Sequence, residues 1–482
     1  MPQTYQDAVI VACKLGLQFL WIDALCIIQN DAEDWHAESQ KMGDVYQNSH
    51  VTIAAHAAGN DEEGFLSVAL QKRETIRLGD SRPFFVALSP NLNADVTESQ
   101  LCKRAWVLQE RFLSPRIIHF TKGQLYWETI GEIRSEEGPM DANLKHFSPA
   151  ATPDLTKLLH ENTSTTSADL ATALETPNDW FRLVEVYTRC GLTKEKDKLI
   201  AISGLAKRIH KKSGIGYLAG LWADKIRAGL LWIAEVEPLR KASFQRAPSW
   251  SWASVDGPIQ YPVGVTESSF TPCCEVLEVT SEAEESVHFS IARTQMWMNG
   301  VGALKLRSDI WDLSQESDVC ERQVDGILLM PGQRPLDNTL VSNIDKNTIT
   351  NKIFERLREY DNPDIPNMDL KSHTRIRKIL DRSGASGQKI EVIGWVAFDD
   401  ESKDEEHQSI SKQQASFRDR QLPNLCCALI GSSGPRTARV HYALFLTSDG
   451  TNGAFRRVGV GQLGYKFVNS ESRQRDRTIT IV

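Results

Sequence analysis

Two acidic residues occupy positions from which a carboxylate could act on a bound molecule. Asp23 ends an apolar run in "FLWIDALCIIQNDAEDW" (Phe19 to Trp35), and Glu110 lies within "KRAWVLQERFLSPRIIHF" (Lys103 to Phe120). If the second stretch is helical, Trp106, Glu110 and Leu113 fall at i, i+4 and i+7 and share a face. A carboxyl between apolar neighbours is partly desolvated, which favours its neutral form. Such a group can stabilise positive charge developing on a sugar, as in glycoside hydrolysis, or hold sugar hydroxyls. The structural alternative is that Glu110 pairs with Arg104, Arg111 or Arg116 and fixes the helix. Asp23 likewise either binds a ligand or caps backbone N–H groups at a strand end. Trp21 and Trp106 are core residues or stacking platforms. Glu38, one turn after Trp35, faces the same cleft or the solvent.

Other reactive residues lack a supporting pattern. His50, His56 and His119 fall in or beside expected strands, and no spacing links them into a metal site, so no metal is expected. Ser49 and Ser114 have no G-x-S-x-G elbow around them. Cys26 sits in an apolar stretch, where a thiol is inert packing. "GVGALKLRSD" (Gly300 to Asp309) lacks the lysine followed by Ser or Thr that a Walker loop needs.

These residues sit in a chain of 482 residues with a formal net charge of −8. No broad basic field is present, which argues against nucleic acid as the main partner. The nine cysteines include no C-x-x-C, and Cys273-Cys274 and Cys426-Cys427 are adjacent. That pattern fits reduced thiols and a cytoplasmic location better than a disulfide framework. The most apolar stretch, Val9 to Ile28, contains Lys14 and Asp23. A charge near the centre of a span costs about 2.5–3.5 kcal/mol, so a membrane span is not expected. The N-terminal "MPQTYQD" has no basic region of the kind that opens a signal peptide.

The elements that must position the two carboxylates can be read in order. Thr4 with Asp7 resembles a capping box, Tyr5 to Leu15 has helical spacing, and Gly16 suits a C-terminal cap. "LQFLWID" (Leu17 to Asp23) reads as a strand buried on both faces, of the kind found in parallel sheets. A helix follows from Asp31 or Asp34 to about Gln47, then a strand in "HVTIAAHA" (His50 to Ala57). Residues 65 to 100 form an insertion with weak strands such as "PFFVAL". A helix from about Arg104 to Leu113 and a strand from Arg116 to Phe120 complete an α/β layered domain, residues 1–147. Residues 148–178 read as a Ser/Thr-rich linker. Residues 179–258 read as a helical section, including "KDKLIAISGLAKRI" and "YLAGLWADKIRAGLLWIAE", that ends in "PSWSW". In that closing segment Trp250 and Trp252 share a face. Residues 259–482 are β-rich, with a helix expected over Lys371–Arg382 and a solvated loop over the acidic run 399–407.

Taken together, the blocks "LWIDALCIIQND", "MGDVYQNSHVTIAA", "RAWVLQERFLSPRIIHF" and "LYWE" (Leu125 to Glu128) resemble the fungal heterokaryon-incompatibility (HET) domain. "LTKEKDKLIAISGLA", "YLAGLW" and "APSWSWASVDG" resemble segments that commonly follow it. Domains of this family act in non-self recognition and trigger programmed cell death. They are distantly similar to Toll/interleukin-1 receptor (TIR) domains, some of which cleave NAD. The resemblance therefore implies a TIR-like, flavodoxin-like, three-layer parallel sheet. It puts Glu110 at the catalytic position and Asp23 at the end of a strand, with NAD as a substrate and no resident cofactor. It also implies self-association and contacts with other incompatibility proteins. A non-enzymatic signalling or scaffold role is the alternative. The family normally opens with a Ser-Tyr-x-Trp-Gly strand before the first helix. This sequence starts at that helix, so the sheet is expected to lack its first strand.

Overall fold

A computed structural model describes residues 1–67, 74–76, 84–86, 91–130, 132–136, 138–140, 159–160, 177–235, 239–262, 265, 270–280, 286–292, 296–297, 302–313, 317–320, 376–381, 391–399, 425–434, 439–450, 453–463, 468–469 and 473–482. The chain divides into two compact units, Met1–Gly214 and Ile215–Val482. The division falls inside the stretch read as a helical section. The linker 148–178 and the acidic run 399–407 lie almost wholly outside the described residues.

The first unit opens with helix α1 (Gln3–Lys14). Gly16, at φ +71°, ends it in the left-handed conformation that a residue with a Cβ resists. The Gly16 N–H donates to the Cys13 carbonyl and the Leu17 N–H to the Ala12 carbonyl, the paired bonds of a Schellman ending. The expected capping box does not form. The Asp7 carboxylate instead accepts from the backbone N–H groups of Phe65 and Leu66. The Thr4 hydroxyl donates to the Asn60 carbonyl. Both residues thus tie α1 to the loop around Gly64 rather than to their own helix end.

Residues Leu17 to Ile22 are the main correction to the sequence reading. They are not a strand: they make no ladder with β1 (Thr52–Ala54) or with any other described strand. Their polar backbone ends are already committed. The Leu17 N–H belongs to the end of α1, and the Ile22 carbonyl accepts from Leu25 and Cys26 in the short helix α2 (Asp23–Cys26). The side chains still alternate. Leu20 and Ile22 pack into the cluster of Ala8, Val11, Ala57, Phe65 and Phe120. Trp21 points the other way, edge-on to Tyr46, and Phe19 is 91% exposed.

Helix α3 (Ala32–Asn48) is capped by Asp31, one of the two starts the sequence left open, whose carboxylate accepts from the N–H groups of Glu33 and Asp34. The insertion contains a two-stranded ladder, β2 (Glu74–Ile76) with β3 (Phe84–Val86). Helix α4 (Ala105–Leu113) and strand β4 (Arg116–Phe120) lie where expected. They are followed by β5 (Leu125–Thr129), β6 (Glu132–Ser135) and β7 (Gly138–Pro139). The five-stranded sheet has the order β1-β4-β5-β6-β7. Only β1 and β4 pair in parallel, so the expected parallel sheet is represented by that one pair. The rest is an antiparallel meander. The turn from Thr121 to Gln124 is far too short for the crossover that parallel neighbours need.

Two further helices, α5 (Pro177–Arg189) and α6 (Ser203–Ser213), close the unit. Trp180, Leu183, Val184 and Tyr187 are all buried, as their helical spacing predicts. "KDKLIAISGLAKRI" is only partly α-helical. It holds 3-10 turns at Glu195–Asp197 and Ile200–Ile202 before α6 begins.

The second unit is β-rich, as expected. Its large sheet contains, in spatial order, Ser286–His288, Glu275–Thr280, Ala303–Asp312, Cys426–Ser433, Val440–Ser448, Ala454–Leu463, Glu391–Phe398, Ile376–Asp381 and Ser317–Cys320. Strand Gln474–Ile481 pairs with both Ala303–Asp312 and Ala454–Leu463. Five strands therefore close on themselves around Trp311, Cys427, Leu429, Phe445 and Leu463. Two helix expectations fail here. Lys371–Arg382 contains the strand Ile376–Asp381, because Ile376, Ile379 and Leu380 suit a ladder as readily as a helix. "YLAGLWADKIRAGLLWIAE" is helical only over a 3-10 turn, Ala223–Lys225, and the short helix Ile226–Gly229; around them lie short strands, with Ala219 and Gly220 both at positive φ. Trp250 and Trp252 are fully buried.

Candidate active site

The site is built where α3, α4 and α6 meet. Gly43 of α3 and Gly204 of α6 touch backbone to backbone: a Cβ placed on Gly43 would lie 3.1 Å from the Gly204 Cα. The Gly204 N–H donates to Gln109 Oε1 of α4 at 2.6 Å. This three-way contact fixes the residues beside it, Tyr46 nearly one turn after Gly43 and Glu110 next to Gln109.

Glu110 is partly buried, and the Tyr46 phenol lies within electrostatic reach of its carboxyl. Burial drives the Glu110 pKa up to about 7, with the Asp23 charge adding to the rise and Arg104 and the Tyr46 hydroxyl opposing it. The same burial, with the negative charges of Glu110 and Asp23, holds the Tyr46 phenol well above its usual range. The Asp23 charge thus reaches Glu110, although Asp23 starts a helical turn rather than ending a strand. Its Oδ1 accepts from the N–H of the next residue, Ala24, at 2.8 Å.

The three arginines offered as partners for Glu110 lie elsewhere or at a distance. Arg111 turns to Glu128, Arg116 donates to the His50 carbonyl, and Arg104 acts on Glu110 only through its field. Among the described residues Glu110 has no ion pair within 4.0 Å. Trp21 lies edge-on to Tyr46, with ring centroids 5.8 Å apart, and so belongs to this cluster. Trp106 faces the Asp197 carboxylate from the same helix as Glu110. Glu38 is not part of the cluster; it pairs with Lys41 one turn along α3 at 2.7 Å.

Behind α4 lies a buried polar ring that the sequence did not reveal. Arg111 Nε and Nη2 donate to the two Glu128 oxygens at 2.8 and 3.2 Å. His119 Nε2 meets Glu128 Oε2 at 2.9 Å, and His119 Nδ1 meets His56 Nε2 at 2.8 Å. His56 Nδ1 meets the Ser99 hydroxyl at 2.8 Å. The Cys102 backbone N–H donates to the Ser99 hydroxyl at 3.3 Å. Burial raises the Glu128 pKa, but Arg111 and His119 outweigh it and hold the carboxyl down at about 2. Glu128 is therefore an acceptor, so His119 Nε2 carries its proton. His119 Nδ1 must then accept from His56 Nε2–H, and His56 Nδ1 from the Ser99 O–H. Every donor in the ring points toward Glu128. Burial, then the charge of its partner His119, lowers the His56 pKa to about 2. The only sequence signal for this ring was the alternation that points His119 and Glu128 into the sheet interior. Among the described residues no three His, Cys, Asp or Glu side chains could hold a metal ion. No helix there is long and apolar enough to cross a membrane.

A mixed α/β unit that brings these sequence blocks around one raised carboxyl defines the class of domain. Residues 1–110 match the family model of the heterokaryon incompatibility protein (HET), so the chain carries a HET domain over that segment. No curated protein and no solved structure matches the chain.

Proposed function

We propose that the first unit is a signalling domain of the heterokaryon-incompatibility response that acts by cleaving NAD, in the manner of the TIR enzymes it resembles. The observation that carries this reading is a Glu110 carboxyl with no ion pair among the described residues, set beside the Tyr46 phenol and pushed up to about 7 by burial. A group with that pKa exchanges its proton at neutral pH, as a general acid or base must. In the proposed reaction the nicotinamide–ribose bond breaks and nicotinamide leaves with the electron pair. The ionised Glu110 stabilises the oxocarbenium character left on the ribose. Water then adds to the ribose carbon, and its proton passes to Glu110. Asp23 would hold ribose hydroxyls and Trp21 would wall the pocket behind Tyr46. The test is nicotinamide release from NAD by the purified chain. Release that is lost in Glu110→Ala with folding intact supports the reading, and no release from the wild-type chain defeats it.

A scaffold role has one specific observation in its favour. Of the ten exposed large apolar side chains described, seven fall within the first 28 residues: Met1, Val9, Ile10, Leu15, Phe19, Leu25 and Ile28. Such a concentration suits contact with another chain. Cell death that survives Glu110→Ala but is lost in Phe19→Ser with Ile28→Ser would favour this reading over the enzymatic one.

A further inference from the structure

The loop after α5 lies outside the family match, yet it is strapped onto the start of α4. The Gly191 N–H donates to the Lys103 carbonyl at 2.7 Å, and the Ala105 N–H donates to the Gly191 carbonyl at 3.0 Å. Lys103, Ala105 and Gly191 thus form a parallel bridge centred on Arg104. The loop then makes a 3-10 turn, Glu195–Asp197, beside Trp106.

Three features of this loop point to a ligand. Lys194 and Lys196 are both exposed, and their ammonium groups lie 5.7 and 5.3 Å from the centroid of the one Trp35 ring. Neither has a carboxylate ion-paired to it among the described residues, although the field of Asp197 reaches both. Two like charges gathered on one indole repel each other, and an anion between them removes that cost. Asp197 itself is 5% exposed, and its Oδ1 is buried without a hydrogen-bond partner. A buried carboxylate oxygen is an acceptor in want of a donor.

We propose that Lys194 and Lys196 bind the phosphates of a nucleotide and that Asp197 Oδ1 accepts from one of its ribose hydroxyls. Trp106 faces Asp197 and stands one helical turn before Glu110, about 6 Å along the axis. A pyrophosphate held at the loop would leave the attached ribose within reach of the carboxyl. This assignment names the substrate class of the proposed site and rests on that reading for its location, but phosphate binding itself does not require Glu110.

The test is calorimetry on the full chain with ADP-ribose and inorganic pyrophosphate as probes, comparing wild type with Lys194→Ala/Lys196→Ala and with Asp197→Asn. The expected result is at least tenfold weaker binding of both probes by the lysine variant, and affinity in the wild type that falls with added salt. Asp197→Asn should weaken ADP-ribose but not pyrophosphate. Because both lysines are exposed, their loss leaves the fold intact, which circular dichroism checks. Unchanged ADP-ribose affinity in the lysine variant overturns the proposal, as does a wild type that binds neither probe. Binding lost in the variant while the wild type releases no nicotinamide would sustain this site and sink only the catalytic reading.

Discussion

The Tyr46 phenol on α3 and the Glu110 carboxyl on α4 lie within electrostatic reach of each other, and Asp23 adds its negative charge to both. A carboxyl whose pKa is raised by folding holds its proton more tightly in the native chain. Its contribution to stability is therefore complete below the unfolded value of 4.5 and is lost as pH rises through about 7. Glu110→Gln should stabilise the protein at pH 8 by about 1–2 kcal/mol, a figure reduced for the partial solvent contact of the group. At pH 4 the same variant should be close to neutral. Urea unfolding at the two pH values checks both.

The His56–His119 pair predicts the opposite trend. Both pKa values are lowered by burial, so both rings stay neutral in the native chain while the unfolded chain takes up protons below 6.5. Their stability contribution is full above 6.5 and is lost as pH falls. Comparing wild type with His56→Asn between pH 6.5 and 4.5 isolates the effect, since other groups cancel. The variant should lose about 2 kcal/mol less over that window, at up to 1.4 kcal/mol per pH unit for one proton.

Arg111 and Glu128 test what the ring does for the fold. Removing one charge strands the other, so Glu128→Gln should cost about 3–5 kcal/mol. Adding Arg111→Met removes the stranded cation and should recover part of that loss. A double variant less stable than Glu128→Gln alone would contradict this account of the pair.

The close approach of Gly43 and Gly204 sets the spacing of the site. In Gly204→Ala the new Cβ would stand 2.7 Å from Gln109 Oε1 and 3.1 Å from the Gly43 Cα. Overpacking of this kind typically costs about 1–3 kcal/mol. Because Gln109 adjoins Glu110, the variant should also shift the Glu110 titration, which carboxyl-labelled NMR can follow.

In the second unit Arg457 is held on all sides. It donates to both Asp399 oxygens at 2.9 Å and to the carbonyls of Leu230 and Trp232, and its guanidinium lies 3.3 Å from the Trp232 ring centroid. Lysine offers neither the fork nor the flat face. Arg457→Lys should cost about 3 kcal/mol by chemical denaturation, from lost charged hydrogen bonds in a buried site.

The helices around the site were legible because their signals are local. Asp31 caps α3, Gly16 ends α1, and Ser114-Pro115 separates α4 from β4. Residues 17–22 misled for a physical reason. Their apolar alternation is that of a strand and their side chains do pack that way, but no described strand pairs with them, and the backbone groups at their two ends belong to the flanking helices. The family blocks drew attention to Asp23 and Glu110, whose charges influence each other. Tyr46, the polar ring and the Lys194–Lys196 loop could not be anticipated, since each depends on contacts between residues far apart in sequence. His56 and His119 are 63 positions apart, and nothing in their spacing announces a shared hydrogen bond.

The central claim is that the Glu110 proton controls cleavage of NAD, and the pH dependence of nicotinamide release tests it most directly. If the ionised carboxylate is the active form, the rate should rise with pH, reach half its maximum near pH 7 and be abolished in Glu110→Gln. A wild-type protein that releases no nicotinamide at any pH, or a Glu110→Gln protein that releases it with the same profile, would contradict the account.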